Sequence, residues 1–225
     1  MMAGYKIVYS GGSSEIVEKK SRFIANVFPV ENEEDATKII GETKKKYWDA
    51  RHNCYAYIIG ENLRISKCSD DGEPSGTAGK PILEVLSGAG VCNVLVIVTR
   101  YFGGTLLGTG GLVRAYSGAA KAGLAASRVI TKEAGKRVIL QTGYDGIGKI
   151  QYIVSQMGLA IIDTRYSDKT EMELAVSLND TGQFVKKVTE ATSGRVKINA
   201  DDDIYFAVID QKPVVFPMGR QQRGL

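Results

Sequence analysis

The sequence predicts an α+β chain divided into two domains, and three observations carry that prediction. The chain has 225 residues, more than the roughly 150 of an average domain. Hydrophobic residues make up 44% and charged residues 24%, the balance of a chain that buries a core rather than one that stays disordered. Strand-like and helix-like segments alternate, and the composition changes near Lys132-Glu-Ala-Gly135. The expected boundaries are 1–133 for the first domain, 134–212 for the second, and 213–225 for a weakly anchored tail carrying Arg220 and Arg223.

In the first domain, Glu18 to Val30 mixes basic residues with Phe23, Ile24, Val27, Phe28 and Val30 and reads as one strand. Glu31-Asn-Glu-Glu-Asp35 opens a helix that closes at Lys44-Lys-Lys46. Acids first and bases last complement the helix dipole, so the lysine run reads as helix stabilisation rather than a nucleic-acid patch. Ala50 to Ile59 is a second strand, with His52, Cys54, Ala56 and Ile58 on one face and Arg51, Asn53, Tyr55 and Tyr57 on the other. Ser69 to Lys80 is a polar loop, and Pro81 opens a helix to about Ser87, where its missing N–H costs nothing. Val91 to Thr99 is almost wholly apolar, a buried central strand. Tyr101 to Gly111 is a loop with five glycines, and Leu112 to Ser127 a helix.

The second half reads as a strand (Arg137 to Thr142), a helix (Gly146 to Met157), two strands (Leu159 to Tyr166 and Thr170 to Leu178), a helix (Thr181 to Thr192) and a last strand (Ile204 to Ile209). This βαββαβ order is the ferredoxin-like split motif.

Several function classes are excluded at this level. The longest aliphatic run, Val94 to Val98, is far short of the 18 or so apolar residues of a membrane helix, so no membrane partner is expected. Met1-Met-Ala-Gly-Tyr-Lys6 lacks the basic start and apolar core of a signal peptide, and a cytoplasmic location is expected. One histidine, His52, and cysteines at 54, 68 and 92 form no CxxC pair and no cluster, so no metal and no cofactor is expected. Asp70, Asp71 and Glu73 fall in a turn without calcium-loop spacing. His52 and Cys54 share a strand face but have no third group to orient them, so the buried-strand reading is preferred and no catalytic residue is assigned.

Charge is uneven. Residues 80–130 hold Lys80, Arg100, Arg114, Lys121 and Arg128 against the single acid Glu84, whereas 136–210 hold nine basic and eleven acidic residues. The positive field therefore sits in the first domain, where it attracts phosphate-rich or acidic partners. Arg100 to Arg114 follows a buried strand and opens a helix, so its backbone amides converge at the positive end of a helix dipole. It matches neither standard nucleotide template: GxGxxG from Gly108 meets Val113, and Gly76-Thr-Ala-Gly-Lys80 has Pro74 for the first P-loop glycine and Pro81 for its Ser/Thr.

Arg114, Lys121 and Arg128 recur every seven residues, one stripe of a helix whose opposite face is Leu112, Tyr116, Ala119, Ala120 and Gly123. The anion- or nucleic-acid-binding set is accordingly Lys80, Arg100, Tyr101, Gly103, Gly104, Gly110, Gly111, Arg114 and Lys121, ringed outward toward water. Tyr101 and Phe102 are candidates for stacking on unpaired bases, although Phe102 reads more readily as core.

Asp71-Gly-Glu-Pro-Ser-Gly-Thr-Ala-Gly-Lys-Pro-Ile-Leu83 and Val96-Ile-Val-Thr-Arg-Tyr-Phe-Gly-Gly-Thr-Leu-Leu-Gly-Thr-Gly-Gly-Leu-Val-Arg-Ala-Tyr116, with Lys20-Ser-Arg-Phe-Ile24 and Ala50-Arg-His-Asn-Cys-Tyr-Ala56, resemble the signature of the IMPACT/YigZ/YvyE family. The likeness covers about residues 15–130, and the remainder resembles the C-terminal domain of bacterial members. Leu106 stands where the family pattern implies lysine, which removes a charge from the loop. The resemblance implies a first domain of the ribosomal protein S5 domain 2-like type, with a left-handed crossover, and a second similar to the last domain of elongation factor G. It further implies a role in translational regulation, with RNA or the ribosome as partner. The alternatives are a protein-interaction module acting on a translation factor, and an enzyme or binder of small phosphorylated ligands.

Overall fold

A computed structural model describes residues 4–61 and 65–216. They form a mixed α/β architecture of two sheets and five helices, which fall into two compact units, Tyr5–Thr131 and one built from Lys132 onward.

The first unit contains β1 (Tyr5–Ser10), β2 (Ser13–Glu18), β3 (Ser21–Pro29), α1 (Glu33–Lys46), β4 (His52–Ile59), β5 (Ile65–Ser69), α2 (Gly79–Ala89), β6 (Val91–Cys92), β7 (Val94–Tyr101) and α3 (Gly108–Ala125). Its main sheet has the order β2-β3-β7-β4-β5 and is antiparallel throughout. The central strand β7 is buried on both faces. Val94, Val96 and Val98 join Phe23, Cys54 and Tyr116 in the core beneath α2 and α3, while Leu95 and Ile97 join Tyr57 and Ala36 beneath α1. This explains why its sequence shows no polar residue before Thr99.

Local chemistry accounts for the departures from the expected elements. The single strand expected over 18–30 is a hairpin, because Lys19 and Lys20 take φ of 44° and 67° and close a two-residue turn between β2 and β3. The apolar run from Val91 breaks at Asn93, whose φ is 52° and whose side-chain oxygen accepts from the Gly60 amide at 2.8 Å. The loop expected from Tyr101 to Gly111 is shorter, since α3 already begins at Gly108, and Arg128 lies not on that helix but at the start of the next strand. Gly103 has to be glycine, because a Cβ there would stand 2.0 Å from the carbonyl carbon of Lys20.

The second unit is built from β8 (Arg128–Thr142, entered from the first unit), α4 (Tyr144–Gln156), β9 (Ala160–Tyr166), β10 (Thr170–Ser177), α5 (Leu178–Ala191), β11 (Lys197–Ile209) and β12 (Lys212–Phe216). Its strands are antiparallel in the order β9-β10-β8-β11-β12. Val138, Leu140, Met172 and Leu174 of the sheet pack on Ile150, Val154, Phe184 and Val188 of the two helices. The tail expected from residue 213 is corrected over 213–216. Asp210 and Gln211, at φ 50° and 65°, turn the chain into β12, which pairs with β11 from Ile209↔Lys212 to Tyr205↔Phe216. The remainder of that segment, 217–225 with Arg220 and Arg223, lies outside the described residues.

The acidic turn between β5 and α2 is held by Asp70. Its carboxylate accepts from the backbone N–H groups of Gly76 (2.8 Å), Ala78 (3.0 Å) and Gly79 (2.8 Å), and so caps α2 from outside the helix. Burial opposes the charge, yet the three donors together hold this carboxyl below the ordinary aspartate value. Asp70→Ala is expected to lower the unfolding free energy at pH 7 by about 2–3 kcal/mol. Because the folded-state value is depressed, the contribution is present above the unfolded value of about 4 and is lost as pH falls through the folded one. Urea denaturation at descending pH checks this: the gap between wild type and variant is wide at pH 7 and closes in acid.

Candidate functional site

Strand periodicity sends Arg100 inward. It has the same parity as Val94, Val96 and Val98, and it lies in register with Phe23 on β3 and His52 on β4. Its side chain is 7% exposed, and its Nη1 donates to Glu73 Oε1 at 2.6 Å, with Glu73 itself 3% exposed. Tyr116 of α3 donates to the same carboxylate oxygen at 2.7 Å. The guanidinium also lies over the rings of Phe23 and Phe102, at 5.4 and 5.7 Å from their centroids. The expectation that Arg100 faces water is therefore corrected: its charge is neutralised inside the protein, because a strand that alternates strictly cannot turn one side chain back to the surface.

Two neighbours complete this network. His52 Nδ1 lies 2.9 Å from the Asp71 carbonyl oxygen, and its Nε2 is 4.0 Å from Glu73 Oε1. The Cys54 thiol donates to the Asp70 carbonyl at 2.9 Å and lies 3.3 Å from Tyr116 Oη. Burial pushes the Cys54 thiol up to about 12, against the opposing pull of the Tyr116 hydroxyl, and the carboxylates of Glu73, Asp71 and Asp70 push the same way. Burial first, then Cys54 and Glu73, raise the Tyr116 phenol as well. Both groups stay protonated near neutral pH, so neither is a nucleophile there. The three turn carboxylates are all engaged: Asp70 on backbone amides, Asp71 on the Asn53 amide at 2.7 Å and on Lys44, Glu73 on Arg100 and Tyr116. Among the described residues no group of three or more His, Cys, Asp or Glu side chains is placed to hold a metal ion.

The remaining residues of the expected set divide into two groups. Gly103 donates its N–H to Ser21 Oγ at 3.1 Å, and the Tyr101 hydroxyl donates to Asp49 at 2.8 Å beneath the Arg22 guanidinium, so these two serve the fold. Gly104, at φ 84°, makes the turn toward α3. Outward lie Lys80 in the first turn of α2 and Arg114 and Lys121 along the crest of α3; all three are exposed and none has an ion pair among the described residues. Phe102, expected as core, is 51% exposed.

Gly110 and Gly111 fall in the first turn of α3, which has no side-chain cap and no acidic residue. The contrast within the chain is clear: Asn32 caps α1, Ser177 caps α5, Asp70 caps α2, and α4 carries Asp145 in its first turn. The first N–H groups of α3 therefore meet solvent with the positive end of the dipole behind them. Glu73 and Tyr116 were the functional contacts not assigned from sequence. The parity of Arg100 with the valines before it was the available signal.

Residues 19–124 match the family model described as Impact N-terminal domain, and residues 140–195 match the model described as Domain of unknown function (DUF1949). The chain is 40% identical over 205 residues to "IMPACT family member YvyE" of Bacillus subtilis, covering 91% of this chain and 94% of that one. It is 34% identical over 187 residues to "IMPACT family member YigZ" of Escherichia coli, covering 82% and 92%. "Protein IMPACT" of Mus musculus is 37% identical over 98 residues, 41% of this chain and 30% of that one. A solved structure described as "Crystal structure of an hypothetical protein" aligns with a TM-score of 0.57 at 32% identity, covering 90% of this chain and 99% of that one.

The network fixes how the thiols react. Iodoacetamide near neutral pH is expected to label the exposed Cys68 and to leave Cys54 unmodified until the protein unfolds. Peptide mass spectrometry of native and urea-treated samples reads this directly, and equal labelling of the two in the native state would contradict it.

Proposed function

The chain belongs to the IMPACT family, and from that membership we propose that it is a cytoplasmic, translation-associated regulator whose first unit binds RNA, free or within the ribosome. The observation that carries the reading is the crest of α3. Arg114 and Lys121 are exposed and without ion pairs among the described residues, on a helix whose N-terminal amides have no side-chain cap. Lys80 adds a third exposed cation on α2, which packs beside α3. Such groups meet phosphates through charge and N–H donors and give affinity without sequence preference. The exposed ring of Phe102 offers a surface on which an unpaired base stacks. Glu84 lines the same groove between α2 and α3 as Lys121, so the cationic surface is bounded on that side.

The fold supports the same reading. The succession β8-α4-β9-β10-α5-β11, with strand order β9-β10-β8-β11, fits a ferredoxin-like domain similar to the last domain of elongation factor G. We read the first unit as being of the ribosomal protein S5 domain 2-like type. Both relationships are analogies of fold, and the site carries the functional argument.

Charge reversal of the pair, Arg114→Glu with Lys121→Glu, is expected to weaken binding of single-stranded RNA and to reduce the slope of log K against log salt by about 1.4, the change that follows when two phosphates are no longer neutralised. Filter binding across a salt series measures both quantities. Unchanged affinity and slope, or cellular co-purification of a protein partner that withstands ribonuclease and needs the same two residues, would overturn the assignment to RNA.

A further inference from the structure

Beside the N-terminus of α3 lies a cavity of about 490 Å³, within the size range of small-molecule sites. Arg51, His52, Glu73 and Arg100 form its polar wall, and Phe102 and Leu107 belong to its apolar wall. Gly108 and Thr109, the first residues of α3, also line it. Arg114 and Lys121 do not line it, so it is distinct from the cationic crest of α3 while sharing with the proposed RNA surface the first-turn amides and Phe102.

The lining favours an anion. The single carboxylate, Glu73, is compensated by Arg100, and Arg51 is exposed with no ion pair among the described residues. The wall thus carries one net positive charge before His52 is counted, and the first-turn amides of α3 add donors that no side chain caps. Arg100, more than nine-tenths buried, keeps a buried Nε without a hydrogen-bond acceptor. Folding does not leave a buried donor in that state without cost.

His52 narrows the choice of anion. A carbonyl oxygen only accepts, so the contact with the Asp71 carbonyl places a proton on Nδ1. In the neutral ring Nε2 then carries the lone pair, and at 4.0 Å from Glu73 it has no hydrogen bond to that carboxylate. A phosphomonoester meets both demands. It offers several acceptor oxygens to the amides and to Arg51, and, with a second pKa of about 6, an exchangeable P–OH proton to Nε2. An apolar ring attached to it finds Phe102 and Leu107.

We propose that this cavity binds a phosphomonoester, its phosphoryl group held by the N-terminal amides of α3, Arg51 and His52, and its organic part against Phe102 and Leu107. A free nucleoside monophosphate and the 5′-phosphorylated end of an RNA share this chemistry.

The test is amide-resolved NMR titration of the full chain with adenosine 5′-monophosphate, inorganic phosphate and, as control, adenosine. The two phosphate compounds are expected to shift the amides of Gly108, Thr109, Gly110 and Gly111 saturably, and adenosine to leave them in place. Thr109→Glu puts a carboxylate on the same amides at an exposed position. It is expected to weaken the monophosphate at least about tenfold while the melting temperature stays level or rises, since an acid in the first turn stabilises a helix. His52→Gln is expected to weaken it as well, and Arg114→Glu with Lys121→Glu to leave it unchanged, which separates this cavity from the cationic crest of α3. A short RNA with a 5′-phosphate binding more tightly than the mononucleotide assigns the site to RNA ends, and equal affinity assigns it to free nucleotides. No saturable shift up to about 10 mM, the weak end of measurable affinity, or unaltered affinity in Thr109→Glu, overturns the proposal.

Discussion

A guanidinium at the end of an apolar strand has to be neutralised where it lies, and that requirement organises the region between β4, β7 and α3. Val94, Val96 and Val98 drive one face of β7 into the core, and Arg100 follows them by parity. An unpaired charge at that depth costs several kcal/mol. Glu73 answers it, but only because the turn from Asp70 to Ala78 is folded so as to carry the carboxylate inward. Asp70 holds that turn by its backbone contacts, and Gly72, at φ 87°, passes it close to the His52 ring. Tyr116 then ties the same carboxylate to α3. Strand, turn and helix are thus joined through one buried anion.

The function follows from what this arrangement leaves outside. Arg100 and Glu73 cancel each other, and Cys54 and Tyr116 are held protonated, so the buried network supplies no nucleophile at its centre. The same network holds α3 at Tyr116, while the residues of its first turn from Gly108 to Gly110 and the crest of Arg114 and Lys121 are exposed to solvent. The proposal of anion binding rests on these exposed groups.

Much of the fold was legible in the sequence because patterning governs it directly. The acid-to-base run of α1, the two faces of β4 and the element order of the second unit all follow from periodicity and helix-end charge. What was missed depended on single backbone angles, which composition does not display. The turns at Lys19-Lys20 and Asp210-Gln211 place non-glycine residues at positive φ, where the usual Asn-Gly or Asp-Gly signal is absent. The candidate site was legible in part. Arg114 and Lys121 stand where a seven-residue spacing puts them, on the outer crest of α3. Arg100 reads as a surface cation by its charge and as an inward residue by its parity with the valines, and Glu73 gives no local signal because its partner lies 27 residues away.

The central claim is that Arg100 and Glu73 stabilise each other inside the fold. A double-mutant cycle with Arg100→Met, Glu73→Gln and the pair together, followed by urea denaturation, measures their coupling free energy. Each single variant leaves a buried partner behind, so the account predicts a coupling of about 2–3 kcal/mol, with the double variant more stable than the sum of the singles implies. Additive effects, with no coupling beyond experimental error, would contradict it.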